Sequence, residues 1–433
     1  MKLLKLITAS LFPIAVLCSC DFEERLTWSP DGKRMAVLTD QLRLADADSI
    51  SRPLLNKQFG SVLSFRWLPD NHHALLAYRR YQHHRNNAGV RTGTKTADTS
   101  VDYLQLFDFN GEIKEVKVTA GPILFKSSEA IEDLRLSPSG KLAAISQADK
   151  GRHKISIVSL AGALKRDVAR NATKPEWSRD SRSIYFFREI TPKDSASTAF
   201  IPVATICSLP VADANGRPIV SKVRRDLAQC AGDLFTGGRI HALEDGSLLF
   251  CSTPVKLPAC GAMLGLQERA LFRYRPASKE SKASVEQIKL DGPALAADLD
   301  SFEPNQDGTK IAICSSQGAV RVISLSSDGN SGQVTVLEKP LPDTVEVSRT
   351  GSFGCAPRWR NGHELTFSVR NLANAKNHAG HGDNSEHDGE LVSQELQDLA
   401  PGAETNLPAR QVLSRNWPSG QIDFLKAGNS SKK

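Results

Sequence analysis

The chain has 433 residues, a formal net charge of +7, 40% hydrophobic and 24% charged residues. That composition excludes a disordered or fibrous chain, and the basic excess is too mild to mark a nucleic-acid binder. The length accommodates a few ordinary domains or one large repeat architecture.

The first element, residues 1–19, reads as a targeting segment. Lys2 and Lys5 give it a positive start, and LITASLFPIAVL is an apolar run of signal-peptide length, too short to span a bilayer. No later apolar run is long enough to span, so the remainder is expected to be soluble. The run ends in LCSC, which resembles a bacterial lipobox: Leu17 three before the cut, small Ser19 just before it, then Cys20. Cys18 fits less well, because bulky Leu17 would precede the cut. The resemblance implies that Cys20 is acylated and that residues 20–25 form a short tether. It further implies a lipid-anchored body facing the periplasm or cell exterior. Each buried acyl methylene contributes about 0.8 kcal/mol to such an anchor. The alternative is an ordinary signal peptide followed by a structural cysteine. Asp21 is associated in some bacterial lineages with retention at the inner membrane, and the choice of membrane stays open.

Residues 26–414 repeat. Seven segments align: LTWSPDGKRMAVL from Leu26, FRWLPDNHHALLA from Phe65, LRLSPSGKLAAIS from Leu134, PEWSRDSRSIYFF from Pro175, IHALEDGSLLFC from Ile240, FEPNQDGTKIAIC from Phe302 and PRWRNGHELTFS from Pro357. Each predicts a β-hairpin. A short strand ends near Trp, Pro presets the first turn position, Asp bonds back to local backbone, and Gly takes the left-handed position. The strand that follows, such as MAVL or IYFF, is apolar at nearly every residue, as in a strand buried on both faces. Further strand-like runs (YLQLFDF, KISIVSL, ALFRYR, AVRVISL) bring the unit to four strands. Four strands repeated radially describe an all-β β-propeller, here with seven blades.

These hairpins resemble the WD40-like repeat, often termed PD40, of TolB-type propellers. The resemblance implies the propeller fold and says little about function. The extra N-terminal α/β domain of that family is missing from the pattern, and the fifth and sixth copies lose Trp and Pro. RNWPSGQIDFL from Arg415 faintly echoes an eighth hairpin, and residues 415–433 are expected to form a closing strand or tail.

The long insertions fall after the second strands, on the face opposite the tight turns, which makes that face the expected binding surface. The insertion from Arg79 carries Arg79, Arg80, Arg85, Arg91 and Lys95, suited to phosphate or to an acidic partner surface, or else simply solvated. The insertion from Asn371 carries His378, His381, His387, Asp383 and Asp388, enough donors for zinc or a similar metal, although the spacing matches no closed ligand frame. No cofactor is expected beyond that candidate metal.

Six further cysteines in an exported chain suggest disulfides. Hairpin neighbourhood suggests Cys230–Cys251 and Cys314–Cys355, which leaves Cys207–Cys260, one among 15 connectivities, with buried free thiols as the alternative. No GxSxG elbow, HExxH, Walker A loop or placed GxGxxG is present. The expected function is a membrane-anchored scaffold or adaptor that binds an envelope protein and no nucleic acid. The alternative is a propeller enzyme or a metal- or ligand-binding sensor using the looped face.

Overall fold

Side chains along a strand alternate between two faces, so a strand that is apolar throughout needs two apolar neighbours. Met35–Leu38 meets that need. Met35 and Val37 pack with Leu26, Trp28 and Ala45, whereas Ala36 and Leu38 pack with Phe65, Trp67, Leu76 and Tyr78 of the next sheet. One sheet further on, Ala74, Leu76 and Tyr78 face backward, while Leu75 and Ala77 face forward onto Leu134, Ala143 and Ile145. Continued around a ring, this two-sided burial gives a seven-bladed β-propeller with almost no helix, as the computed structural model has it.

The structure describes residues 26–38, 41–46, 51–55, 59–82, 99–149, 152–162, 165–190, 203–213, 217, 219–224, 234–254, 270–277, 281–291, 301–314, 319–338, 357–370, 389–396 and 411–417. Blade 1 contains Leu26–Trp28, Met35–Leu38 and Leu42–Ala45; blade 2, Ser61–Trp67, His73–Gln82, Thr99–Asn110 and Lys117–Ser127. Blade 3 is Ala130–Leu136, Leu142–Asp149, Arg152–Ser159 and Lys165–Arg170; blade 4, Ala172–Trp177, Ser183–Ile190 and Val203–Pro210. Blade 5 is Leu234–Ala242, Leu248–Pro254, Ala270–Arg275 and Ser284–Gln287; blade 6 is Ser301–Pro304, Lys310–Cys314, Val320–Leu325 and Ser331–Glu338. Blade 7 is Arg358–Trp359, Glu364–Arg370, Gly389–Glu395 and Gln411–Trp417.

The expected four strands per blade vary at the rim. In blade 1 an irregular segment takes the fourth place, with the Ser51 and Leu54 amides donating to the Leu44 and Leu42 carbonyls. In blade 4 a single bridge, Ser208 to Arg224, stands there instead. Blade 6 gains Lys289–Asp291, parallel to Ser331–Glu338. Outer strands have only one covered face and one paired edge, so little forces them to be regular. Blades 4 and 5 also share one continuous sheet, through the pairs Val203–Phe235 and Ala204–Leu234.

The hairpin turns behave alike. The residue that must take positive φ is Gly32, Asn71, Gly140, Ser181, Gly246, Gly308 or Gly362, with φ between 61° and 82°. Asp31 accepts from the Ser29 hydroxyl and the Lys33 amide, and Asp180 repeats this with Ser178 and Arg182. These aspartates shape turns. Neighbouring turns are also linked: the Asp31 amide donates to Asn71, the Ser139 amide to Ser181, and the Asn305 side chain to the Gly362 carbonyl.

Tryptophans tie blade to blade. The indoles of Trp67, Trp177 and Trp359 donate to the backbone carbonyls of Thr27, Arg135 and Glu303, each on the preceding inner strand. The ring closes between blades 7 and 1 by side chains: Trp28 donates to Thr366, Arg358 to the Leu26 carbonyl and Arg360 to the Gly32 carbonyl.

Candidate functional site

One register position of the repeat collects polar side chains at the axis. Immediately before the tryptophan column the seven inner strands carry Thr27, Arg66, Arg135, Glu176, His241, Glu303 and Arg358. Inner strands run from the looped face toward the tight turns, so this ring lies near the turn face. Two residues earlier, blades 3 and 5 place Asp133 and Arg239. In blades 2 to 5 the inner-strand register shifts at Val62/Ser64, Ile131/Asp133, Thr173/Glu176 and Gly237/Ile240, just where these side chains project. Such bulges re-aim side chains.

The two levels differ in access. Arg239 and Asp133 form a 2.6 Å ion pair across blade 4, with side chains only 2% and 3% exposed. The ring above is half-buried, apart from His241, which is buried. Arg135 and Glu176 are 20% and 22% exposed at 3.7 Å from each other, and Arg358 and Glu303 are 12% and 30% exposed at 2.6 Å. The ring and the buried pair thus form two polar levels at the axis, with the ring nearer the turns. Arg66 braces the ring by donating to the Leu134 carbonyl.

The charges act on each other. Burial opposes ionisation of Asp133, but Arg239, with Arg135 and Arg66, outweighs it and holds the carboxyl far below the usual range. Enclosure pushes the Glu176 carboxyl above the usual range, against the pull of Arg135 and Arg239. His241 is driven well below its ordinary value by burial first, then by Arg135, Arg239 and Arg358, so its imidazole is neutral at pH 7. Its ring rests edge-on against Phe302 at 4.7 Å, and Nε2 is buried without a partner. Four guanidiniums against three carboxylates leave the two levels with a formal excess of one positive charge, three of the guanidiniums being paired with those carboxylates. Sequence reasoning directed at the loops missed this set; the signal was the column of polar residues preceding Trp.

The sequence-selected residues are placed as follows. Arg79 and Arg80 lie within the strand His73–Gln82 and are engaged inside blade 2. Arg79 makes a two-pronged pair with buried Asp102, at 2.7 and 2.9 Å. Arg80 lies over the rings of Phe59, Tyr78 and Tyr103. Arg85, Arg91 and Lys95, the candidate metal set His378, His381, His387, Asp383 and Asp388, and Cys20 all lie outside the described residues. Cys207, Cys251 and Cys314 are buried in strands. Their suggested partners Cys260, Cys230 and Cys355 lie outside the described residues, and no disulfide joins two described cysteines. Among the described residues no group of His, Cys, Asp or Glu is arranged for a metal, and no helix is long and apolar enough to cross a membrane.

No protein-family model and no curated protein matches the chain. Solved structures do. TolB from Acinetobacter baumannii is 18% identical over 72% of this chain and 62% of its own, with a TM-score of 0.37. A putative 6-phosphogluconolactonase from Bacteroides fragilis is 11% identical over 74% of this chain and 84% of its own, with a TM-score of 0.42. A puromycin hydrolase mutant is 12% identical over 86% of this chain and 51% of its own, with a TM-score of 0.46. The chain thus spans less than two thirds of the TolB and hydrolase structures, and at these identities the likeness concerns fold alone.

Proposed function

We propose that the chain is a lipid-anchored scaffold or adaptor of the bacterial envelope that holds a protein partner on the face opposite the tight turns. One observation carries this reading. Residues 83–98, 191–202, 255–269 and 371–388 each join a second strand to a third, so the strand ends that flank them share one side of the disc. On the other side the turns between first and second strands are short and bonded to one another. Long connections on a rigid scaffold are where recognition concentrates. Arg85, Arg91 and Lys95 in the first insertion are the proposed contacts to an acidic partner surface, and acylated Cys20 is the anchor.

The test is cross-linking in native membranes followed by mass spectrometry, comparing wild type with a variant lacking residues 83–98 and with Cys20→Ser. A discrete envelope protein captured by wild type and lost on deletion supports the adaptor. Capture that survives deletion of all four insertions refutes the placement. Cys20→Ser is expected to move the protein from the membrane to the soluble fraction, and its retention at the membrane would refute the anchor.

A further inference from the structure

Two strands of blade 2 outrun their inner neighbour at the looped side. Ser61, the first residue of the inner strand, pairs with Arg79, whereas Arg80, Tyr81 and Gln82 pair with Val101, Ser100 and Thr99 beyond its end. They form a two-stranded stem at the foot of the 83–98 insertion, its base fixed by the Arg79–Asp102 pair. There Arg80 and Lys126 converge on one ring, that of Tyr103, at 4.9 and 5.7 Å from its centroid. Lys126 is exposed, Arg80 is half-buried, and among the described residues neither makes an ion pair. Two like charges against one ring repel each other, and no carboxylate of the structure relieves them. Of the three large apolar side chains exposed among the described residues, two belong to this blade: Tyr81 on the stem, 52% exposed, and Ile123 on the outer strand, 51% exposed. Lys126 stands opposite Tyr103 and Ile123 opposite Gln105. Tyr103 stacks on Tyr78 and Gln105 accepts from its hydroxyl, so Lys126 and Ile123 share that face.

A small inorganic anion would answer the two cations but leave Tyr81 and Ile123 against water. An anionic bilayer would also meet Glu129, Glu132 and Glu189 at the looped ends of the next two blades, and those acids would repel it. A protein surface that sets a carboxylate beside apolar side chains suits both features, and Arg and Tyr are residues on which interface energy concentrates. We propose that the stem of blade 2 anchors an acidic protein partner, with one partner carboxylate received by Arg80 and Lys126 and apolar partner side chains covering Tyr81 and Ile123. This anchor presupposes the adaptor reading and moves its energetic centre from the insertion to the strand residues at its foot. Contact with the rings of Phe59, Tyr78 and Tyr103 holds the Arg80 guanidinium in place before the partner arrives, so little side-chain freedom is lost on binding.

The experiment is zero-length carbodiimide coupling of the full chain in native membranes, which joins a lysine amine only to a carboxylate in contact with it. Peptide mass spectrometry is expected to find Lys126 linked to an Asp, a Glu or the C-terminal carboxylate of a second protein. Capture of a protein without that linkage overturns the anchor. Lys126→Arg keeps the charge but not the amine, so the linkage should vanish while the same partner still co-purifies. Lys126→Glu places like charge against the partner and should reduce the co-purified amount by about tenfold or more. Tyr81→Ser should reduce it several-fold. Circular dichroism of each variant verifies that the β-propeller is intact. A partner lost on deletion of residues 83–98 but held as well by Lys126→Glu as by wild type leaves the adaptor reading standing and removes the anchor. No partner captured by wild type removes both. Linkage of Lys126 to a second copy of this chain assigns a different occupant and overturns the proposal. So does Lys126-dependent binding to phosphatidylglycerol vesicles with no linked protein.

Discussion

Gly140 turns the chain with φ +68°, and a β-carbon there would lie 2.6 Å from Cδ of Pro69 in the neighbouring blade. Gly246 has φ +80° with open space around the same position. Substituting Ala at each therefore separates two costs. Gly246→Ala should lose only the left-handed backbone preference, about 1 kcal/mol, and Gly140→Ala should lose about 2–3 kcal/mol because the turn must also retreat from Pro69. Urea unfolding of the two variants checks the difference. His153 gives a pH signature. It sits 3.5 Å from Glu132 and 2.9 Å from Glu189, and these carboxylates raise its pKa to about 10. The folded value exceeds that of the unfolded chain, near 6.5, so the stabilisation is complete below about pH 6.5 and fades as pH rises. It should vanish above about pH 10. The contact is a quarter exposed, so its worth is about 1 kcal/mol. The difference in unfolding midpoint between wild type and His153→Gln, followed across that range, should shrink to nothing.

At the scale of strands and hairpins, the second strands and the tryptophans hold neighbouring blades together. Leu76 is fully buried between blades 1 and 2, and Leu76→Ala should cost about 2–5 kcal/mol, measured by chemical unfolding. Trp67→Phe keeps most of the packing but loses the indole bond to Thr27, so about 1 kcal/mol is expected. These features were legible in the sequence because they are local: a turn needs its Asp and its left-handed residue, and a strand buried twice must be apolar throughout. Arg79 and Arg80 were misread as loop residues, since nothing local announces that pairing with Asp102 carries the strand on to Gln82. The rim of blades 1, 4 and 6 was not legible either, because an outer strand has one exposed edge and few apolar demands. The axial polar ring lay in plain sight as a column of Arg, Glu and His before Trp. Its meaning depends on the ring bringing distant blades together, as with Asp133 and Arg239, which are 106 residues apart.

For the molecule as a whole, the seam between blades 7 and 1 sets the cooperativity of the ring. Among the described residues no strand crosses it, and Trp28, Arg358 and Arg360 carry the closure. Arg358→Gln would break the pair with Glu303 as well as the bond to Leu26, at a cost of about 2–3 kcal/mol. Broadening of the calorimetric unfolding transition would mark an opened ring, whereas a sharp transition at lower temperature would mean that the remaining seam contacts suffice. The direction of the first inner strand has a topographic consequence. Leu26 enters at the looped side, and only Asp21 to Arg25 separate it from Cys20, a reach of at most about 22 Å. A lipid on Cys20 would hold that side down toward the bilayer like the underside of a coin on a table. A partner of the insertions would then have to be embedded in, or lie flat upon, the same membrane. The turn side would face upward, toward solutes of the aqueous compartment that the underside never meets.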